Sequence, residues 1–422
     1  MTATQTPTSR VTTVLTGLDD VRGWQEELYR DLHRHPELSH QERRTAQRVA
    51  ERLRSAGFEV HEGVGGTAVV ALLRNGDGPT VLLRADMDGL PVREATGLPY
   101  ACTSTATAPD GTDVPVMHAC GHDLHVSRLL GAAQLLADGR HTWQGTLITL
   151  FQPAEETGEG ARGMLEEGLA TLIPAPAVAL AQHVLPFPAG VVGTHSGPML
   201  AAADSLRITV HGRGAHGSTP QAAVDPVVLA AAIVLRLQTV VAREIEPGQT
   251  AVLTVGSIHA GTKSNVIPDS AQLLVNIRSY DDETRTAMLN AIRRIVAAEC
   301  AASGCEQDPE VQMYDRFPVT DNDHATTARV AEAFTGFFGD RAVPIPQLPA
   351  SEDFAEIPAA LGVPYTYWAI GGTDPARFAA AEQAGRLYQD IPVNHSAAFA
   401  PVVQPTLDTG TQALVVAALA WL

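Results

Sequence analysis

Apolar positions near the start of the chain follow helical spacing until Pro36 interrupts them: Val21, Trp24, Leu28 and Leu32. Ser39 and Glu42, three residues apart, then form a capping-box signal for a second helix that runs to Gly57. The pattern therefore predicts that the chain opens with a helical hairpin.

Apolar runs typical of buried strands then alternate with helical patterns. The predicted strands cover residues 67–73, 79–84, 145–151 and 177–183, and the predicted helices cover 125–136 and 161–169. A helix at 325–338, a strand at 365–370 and a closing helix at 404–422 continue the alternation. Continuous apolar runs are typical of strands buried on both faces. We therefore predict an α/β fold with a mostly parallel central sheet flanked by helices.

The order changes in the middle of the chain. There the predicted elements are a strand at 206–210, a helix at 226–243, strands at 251–258 and 271–277, a helix at 283–302 and a strand at 310–314. This β-α-β-β-α-β order is the ferredoxin-like pattern of a self-sufficient small domain. We predict an inserted domain at 201–316 that divides a larger domain into 1–200 and 317–422.

Composition and charge limit the classes of partner and compartment. The chain has 422 residues, 45% of them hydrophobic, and a formal net charge of −18, which disfavours nucleic acid and anionic membranes as partners. Residues 1–10 contain no apolar signal core, and no later run reaches the roughly eighteen apolar residues of a membrane span. Four cysteines in a chain of this length are typical of reduced thiols. We expect a cytoplasmic protein with no membrane or nucleic-acid partner.

The segment 117–125 concentrates metal-binding chemistry, because it contains Cys120 and three histidines, among them His122. Thiolate and imidazole are preferred ligands of divalent ions such as zinc. The other cysteines show no zinc-finger spacing, so further ligands must come from distant parts of the chain, as in catalytic sites. A cysteine nucleophile at position 120 is the alternative.

Two pairs of carboxylates follow predicted strands. Glu155 and Glu156 come after the strand at 145–151, and Asp86 and Asp88 come after the strand at 79–84. Ligands of open α/β sheets bind at the carboxyl ends of strands. One glutamate could hold a metal ion while the other takes a proton from water, although an isolated Glu-Glu pair is usually a solvated turn. Asp88, or else Asp86, could orient a ligand histidine.

Eight motifs together resemble the bimetallic aminoacylase and carboxypeptidase superfamily. The similarity is strongest to its amidohydrolase branch, which contains hippurate hydrolases, indole-acetyl-amino-acid hydrolases and N-acyl-amino-acid aminoacylases. The motifs lie in the family's order over nearly the whole chain: 32–39, 83–91, 118–123, 152–156, 214–218, 265–268, 351–354 and 394–396.

The resemblance implies a zinc-peptidase-like catalytic domain that holds two divalent metal ions, zinc or manganese, with cobalt also compatible. The implied metal ligands are Cys120, His122, Glu156, His183 and His395. Glu155 is implied to be the general base and later the proton donor. By itself, His183 would more often be a core histidine.

The resemblance also implies that the inserted domain is a lid and a homodimerisation module. His216 would polarise the scissile carbonyl, reaching across from a partner subunit, while Asn265 and Arg278 would anchor the substrate carboxylate. The turn that contains Gly372 would line the pocket. The expected substrates are N-acyl amino acids, whose amide is attacked by a metal-activated water.

Two further functions stay open: a metallo-dipeptidase or carbamoyl-amino-acid hydrolase on the same scaffold, and a metal-binding protein without catalysis. The chain departs from the family pattern at Ala350, at Ala397 and in the long segment 102–116. We expect the last of these to change the rim of the pocket, while none of the three involves an implied ligand.

Overall fold

The computed structural model of the chain describes residues 7–422, so most of the segment predicted to lack a signal core lies outside the described residues. The chain divides into two compact units. The first comprises Met1–Met199, Asp321–Gln347 and Asp353–Leu422, and the second comprises Leu200–Thr320 and Leu348–Glu352.

Helices occur in both units. They are α1 (Pro7–Leu15), α2 (Leu18–Arg34), α3 (Arg43–Ser55), α4 (His122–Asp138), α5 (Gly160–Glu166), α6 (Leu169–Leu172), α7 (Pro226–Arg243), α8 (Asp282–Ala302), α9 (His324–Phe338), α10 (Glu356–Leu361), α11 (Pro375–Gln383), α12 (Leu387–Asp390) and α13 (Thr406–Leu419).

Strands alternate with these helices. They are β1 (Glu59–Glu62), β2 (Val69–Asn75), β3 (Thr80–Asp86), β4 (Thr105–Thr107), β5 (Asp113–Pro115), β6 (Gly145–Gln152), β7 (Val178–Pro188), β8 (Val192–Thr194), β9 (Gly197–Leu200), β10 (Ala202–His211), β11 (Ala215–His216), β12 (Ala251–Ala260), β13 (Val266–Ile267), β14 (Ser270–Ser279), β15 (Glu310–Phe317), β16 (Thr320–Asn322), β17 (Ala342–Pro344) and β18 (Tyr365–Thr373).

The first unit is built on one large sheet with the strand order β1-β2-β6-β3-β7-β18-β8-β17. Its central strands β6, β3, β7 and β18 run parallel to one another, and antiparallel pairs lie toward both edges. Residues of α2, α3, α4 and α13 share one buried apolar cluster with the strands. The predicted α/β class with a mostly parallel sheet flanked by helices is confirmed.

The first and last described helices of this unit lie together. Arg10 of α1 donates from Nη1 to the backbone oxygen of Leu422, at 2.8 Å. Helix α13, the last of the unit, also packs against α4. The first unit is therefore completed by residues from both ends of the described chain.

The second unit is a four-stranded antiparallel sheet with the order β12-β14-β10-β15. Helices α7 and α8 cover one face and bury Ile233 and Ile292 against Leu273. This is the ferredoxin-like arrangement predicted from the order of the elements.

Helix α7 is long and apolar enough to cross a membrane by length and composition. Its apolar residues are interrupted by Arg236 and Gln238, and its buried positions form part of the core of the second unit. A core helix of a globular domain passes the same test, so this feature by itself does not indicate a membrane span.

The predicted capping box is wrong in its contacts. Ser39 donates from Oγ to Asp88 Oδ2 at 2.7 Å, and Glu42 makes no side-chain cap on α3. Glu37 instead accepts hydrogen bonds from the backbone N–H groups of residues 44–45, at 2.9 and 2.8 Å. Glu37 thus accepts from the free N–H groups in the first turn of α3. The spacing of residues in the sequence did not indicate this contact.

Gly121 directly precedes α4 and has a left-handed backbone, with φ of 89°. A Cβ atom at this position would lie 2.5 Å from Val184 Cγ1 in β7. Both the backbone conformation and the close approach of helix and strand therefore require glycine.

We predict that Gly121→Ala lowers the free energy of unfolding by about 2–5 kcal/mol, because it combines a left-handed alanine with overpacking. Gly23→Ala in α2 is the control: a Cβ atom added there would have no neighbouring atom within 4 Å, and alanine should stabilise the helix by about 0.5–1 kcal/mol. Urea unfolding of both variants measures the difference. A Gly121→Ala variant as stable as the parent would contradict the packing argument.

Candidate metal centre and active site

Parallel strands β6, β3 and β7 place polar residues at one edge of the first unit's sheet. Asp86 ends β3, Glu155 and Glu156 follow β6, and His183 lies in β7. The N-terminus of α4 adds His122 to this group. Residues more than 90 positions apart meet because the carboxyl ends of parallel strands lie at the same edge.

His395 joins the group from the loop between α12 and α13. Its backbone N–H donates to Ala119 O at 2.8 Å, and its φ of 68° is in the left-handed region. Its Nε2 lies 3.3 Å from Glu156 Oε2. A non-glycine residue is held there despite an unfavourable backbone conformation, as is common in functional sites.

Possible ligand atoms form overlapping groups within the described residues. In each group, these atoms lie within 4.8 Å of one another. Three of the groups are Cys120 with Glu156 and His395; His122 with Glu155 and Glu156; and Asp86 with His122, His125 and His183. The structure thus brings together every residue implied as a metal ligand, together with Glu155.

Hydrogen bonds orient two of these imidazoles. His122 Nδ1 donates to Asp88 Oδ1 at 3.1 Å, and His183 Nδ1 donates to the Val184 carbonyl at 2.7 Å. Each ring therefore presents Nε2 to the cluster, and His183 Nε2 lies 3.4 Å from Cys120 Sγ. Such outer contacts fix the tautomer that a metal ligand needs.

His125 has a different role, although it lies in the same segment as Cys120 and His122. Its Nδ1 donates to Asp86 Oδ1 at 2.5 Å, and its Nε2 accepts from Val184 N–H at 2.9 Å. Both nitrogens are occupied, and burial lowers the pKa of His125 to about 3. The ring therefore joins α4 to β7 as a neutral structural group.

The electrostatics of the cluster favour bound cations. Burial, together with the nearby charge of Cys120, raises the pKa of Glu156 to about 7. Burial opposes ionisation of Cys120 as well, but the His183 and His122 imidazoles hold the pKa of its thiol well below the usual range. Hydrogen bonds to Cys120 and Glu156 raise the pKa of His395 to about 10. The buried Cys120 thiol and Glu156 carboxylate thus compete for positive charge, and His395 lies at the exposed side of the cluster.

The donor set fits divalent metal ions. Across residues 7–422, the buried His122 Nε2 and Glu156 Oε1 atoms have no hydrogen-bond partner. Buried polar atoms are rarely left in that state, and imidazole, thiolate and carboxylate donors suit zinc or manganese.

A buried ion-pair network lies next to the cluster. Arg84 is almost wholly inaccessible and donates to Asp86 Oδ2 at 2.6 Å, to Gln152 Oε1 at 2.9 Å and to Asp353 Oδ1 at 3.2 Å. The 83–91 motif included Arg84 and the 351–354 motif included Asp353, but sequence spacing could not show that they form a pair. Their separation of 269 positions explains why.

Two of the residues implied in substrate binding lie in loops and short strands of the second unit. His216 is exposed in β11; its Nδ1 lies 2.7 Å from Ser218 Oγ and accepts from Ser218 N–H at 3.1 Å. Asn265 accepts a backbone hydrogen bond from Gly217 at 2.8 Å. These contacts place the two motifs side by side.

Arg278 lies in β14 of the same unit. Its Nη1 donates to Pro349 O at 2.6 Å and to Ser351 Oγ at 3.1 Å. The guanidinium is therefore held by the second unit's own residues rather than fully solvated. Its role toward a substrate carboxylate stays a prediction.

Gly372 lies in β18 of the first unit. A Cβ atom there would lie 2.7 Å from Val184 Cγ2 and 3.0 Å from Pro401 Cβ, which gives a packing reason for glycine. In the long segment 102–116, β4 and β5 form a hairpin, and Gln41 Nε2 donates to Thr107 O at 3.0 Å. The predicted effects of both features on a pocket stay predictions.

Known proteins with similar sequences are amide hydrolases. A thermostable carboxypeptidase from Saccharolobus solfataricus is 36% identical, over 90% of this chain and 91% of its own length. A hippurate hydrolase from Campylobacter jejuni is 37% identical, over 79% of this chain and 85% of its own length. A solved dinuclear metal-binding peptidase from Bacillus subtilis is 28% identical, with a TM-score of 0.74 over 95% of this chain and 98% of that one.

These similarities, together with the donor set, support two metal ions in the cluster and a hydrolase that acts on amide bonds. The model of peptidase family M20/M25/M40 matches residues 82–387, which include all but one of the implied metal ligands. The chain belongs to peptidase family M20/M25/M40.

Proposed function

We propose that this protein is a metal-dependent amidohydrolase that cleaves the amide bond of N-acyl amino acids. The observation that carries the proposal is the placement of two adjacent carboxylates. Glu156 approaches His395 within the Cys120 group, while Glu155, only 5% exposed, lies with Oε2 3.8 Å from His122 Nε2. The pair is thus buried among ligand residues and is not the solvated turn that an isolated Glu-Glu pair usually forms.

The proposed metal ligands are Cys120, His122, Glu156, His183 and His395. Two divalent ions, zinc or manganese with cobalt as a further candidate, would supply Lewis acidity that polarises the substrate carbonyl and acidifies water. Asp88 orients His122 by accepting from its Nδ1. Asp86 acts indirectly, because it holds His125, which is not a proposed ligand.

Glu155 is the proposed general base. Its carboxylate takes a proton from the attacking water and later gives that proton to the leaving amine. His216 is the proposed stabiliser of the developing oxyanion. Because its Nδ1 accepts from Ser218 N–H, its Nε2 carries the proton and can donate.

Arg278 and Asn265 are the proposed anchors of the substrate carboxylate. A guanidinium matches a carboxylate in geometry and in charge, and Ser351 and Pro349 already fix its direction. Gly372 is proposed to line the substrate pocket. The carboxypeptidase relative favours peptides as a second class of substrate, because they too have a free carboxylate next to the scissile amide.

The first test is hydrolysis of N-acetyl, N-benzoyl and longer N-acyl amino acids by chelated enzyme and by enzyme restored with zinc or manganese. We expect metal-dependent release of free amino acid, measured by an amine assay. Dipeptides and carbamoyl amino acids belong in the same panel. Exclusive turnover of those compounds would replace the proposed substrate class, and no turnover with full metal content would favour a non-catalytic metal-binding protein.

Substitutions separate the roles of base and ligand. We expect Glu155→Gln to keep both metal ions and to lose about a hundredfold or more of kcat. Cys120→Ala should instead lose metal, because a thiolate donor is removed. Metal analysis together with kinetics distinguishes the two. A metal-replete but inactive Cys120→Ala variant would support a thiol nucleophile instead.

We also propose that the protein is a cytoplasmic homodimer that assembles through its second unit. On α7, Val228 is 66% exposed and Leu235 is 73% exposed. On β12, one of the two edge strands of the sheet, Val252 and Ile258 are also exposed. An exposed edge strand beside apolar side chains supports pairing with a second copy. The four cysteines, all free thiols, support a reducing compartment.

Mixing two inactive variants tests whether the partner subunit's His216 serves the active site. We expect co-expressed Glu155→Gln and His216→Ala chains to recover about a quarter of the parent activity, because half of the random dimers regain one complete site. Each variant alone supplies the control. Mixed dimers without activity would show that His216 acts within its own subunit, and a monomer in light scattering would contradict the dimer.

A further inference from the structure

Ala154, the residue directly before Glu155, has a left-handed backbone. Its φ is 50°, and His40 and His395 are the other non-glycine residues with positive φ among residues 7–422. Alanine in this region costs about 1–2 kcal/mol relative to its preferred conformations. The surrounding structure must therefore hold Ala154 in place.

The Ala154 carbonyl accepts from Gly160 N–H at 3.1 Å, within its own segment. The contact from outside that segment comes from Glu42. Its Oε1 accepts from Ala154 N–H at 2.8 Å and from His40 N–H at 2.9 Å, and its Oε2 accepts from Thr67 Oγ1 at 2.5 Å. The Glu42 side chain is fully buried. One carboxylate oxygen therefore binds two of the three left-handed positions.

The rest of this segment is held at other points. Asp353 accepts from Gln152 Nε2 at 2.6 Å and from Ala161 N–H at 3.1 Å, at the two ends of 152–161. Asp88 accepts from Glu156 N–H at 3.0 Å. The contact from Glu42 differs from these because it is made at Ala154, the residue whose ψ sets the direction of Glu155.

We propose that Glu42 is a positioning residue for Glu155: by holding Ala154 left-handed, it fixes the carboxylate at the site of proton transfer. The expected effect on kcat rests on the proposed function. The expected effect on the conformation of Ala154 rests on the hydrogen bonds alone. Displacing a catalytic group by about 1 Å can cost about a hundredfold in rate, so the length of the Glu42 side chain matters more than its charge.

Glu37, nearby in the chain, provides a matched control. It too accepts two backbone N–H groups and one threonine hydroxyl, from Arg44 and Thr45. Those bonds serve the start of α3 and do not involve 152–161. A change at Glu37 therefore reproduces the withdrawal of a carboxylate acceptor, here a half-buried one, without disturbing Glu155.

The experiment compares Glu42→Asp, Glu42→Gln and Glu37→Asp in the full chain. Glu42→Asp keeps the charge and withdraws the acceptor by one methylene, so we expect kcat to fall about tenfold or more, with KM within about twofold and both metal ions retained. Glu42→Gln keeps the reach, because its amide oxygen accepts both N–H groups, and kcat should stay within about threefold of the parent. Glu37→Asp should lower the melting temperature and leave kcat unchanged.

Hydrogen exchange of a peptide covering 152–161 supplies a readout without substrate. Exchange should accelerate in Glu42→Asp and stay at the parent rate in Glu42→Gln and Glu37→Asp. The proposal is overturned by parent exchange and parent kcat in Glu42→Asp, or by a loss of kcat in Glu42→Gln as deep as that in Glu42→Asp. A parent enzyme that hydrolyses none of the panel would defeat the proposed function, while the exchange rates would still decide the role of Glu42.

Discussion

The burial of several carboxylates in one place is the constraint on which the rest of the structure depends. Asp86, Asp88, Glu155 and Asp353 are almost completely inaccessible to solvent. Ionised carboxylates tolerate such burial only when cations or hydrogen-bond donors compensate them. Arg84 compensates Asp86 and Asp353, and the Ser39 hydroxyl and the Glu156 N–H donate to Asp88. Bound ions would compensate the charge that remains. Metal binding and the stability of the first unit are therefore linked.

Precision at this site comes from backbone positions as much as from side chains. Gly121 allows α4 to start in contact with β7, and Ala154 and His395 are held in a conformation that isolated residues avoid. Long-range hydrogen bonds from buried acceptors hold these positions. A rigid frame of this kind would let the proposed ligand side chains change little when ions bind.

The sequence predicted the order of the elements well, because both units follow strong hydrophobic periodicities. It also predicted that chemistry gathers at strand ends. Spacing alone could not show that both nitrogens of His125 are already bonded, although the family resemblance named only His122 of the two as a ligand. It misassigned Ser39 and Glu42 as a local cap, although both bond to residues far along the chain. It did not predict the β4–β5 hairpin, whose three-residue strands give too short a pattern.

The interrupted course of the first unit sets an order of events during synthesis. Residues 200–320 leave the ribosome as an almost uninterrupted domain with its own core, so they can fold while the rest is still being made. The large sheet must wait for β18 and α13, and the proposed ion-binding cluster must wait for His395. Until then the nascent chain exposes apolar strands and an incomplete set of acidic groups. The proposed metal centre is consequently among the last parts of the molecule to form.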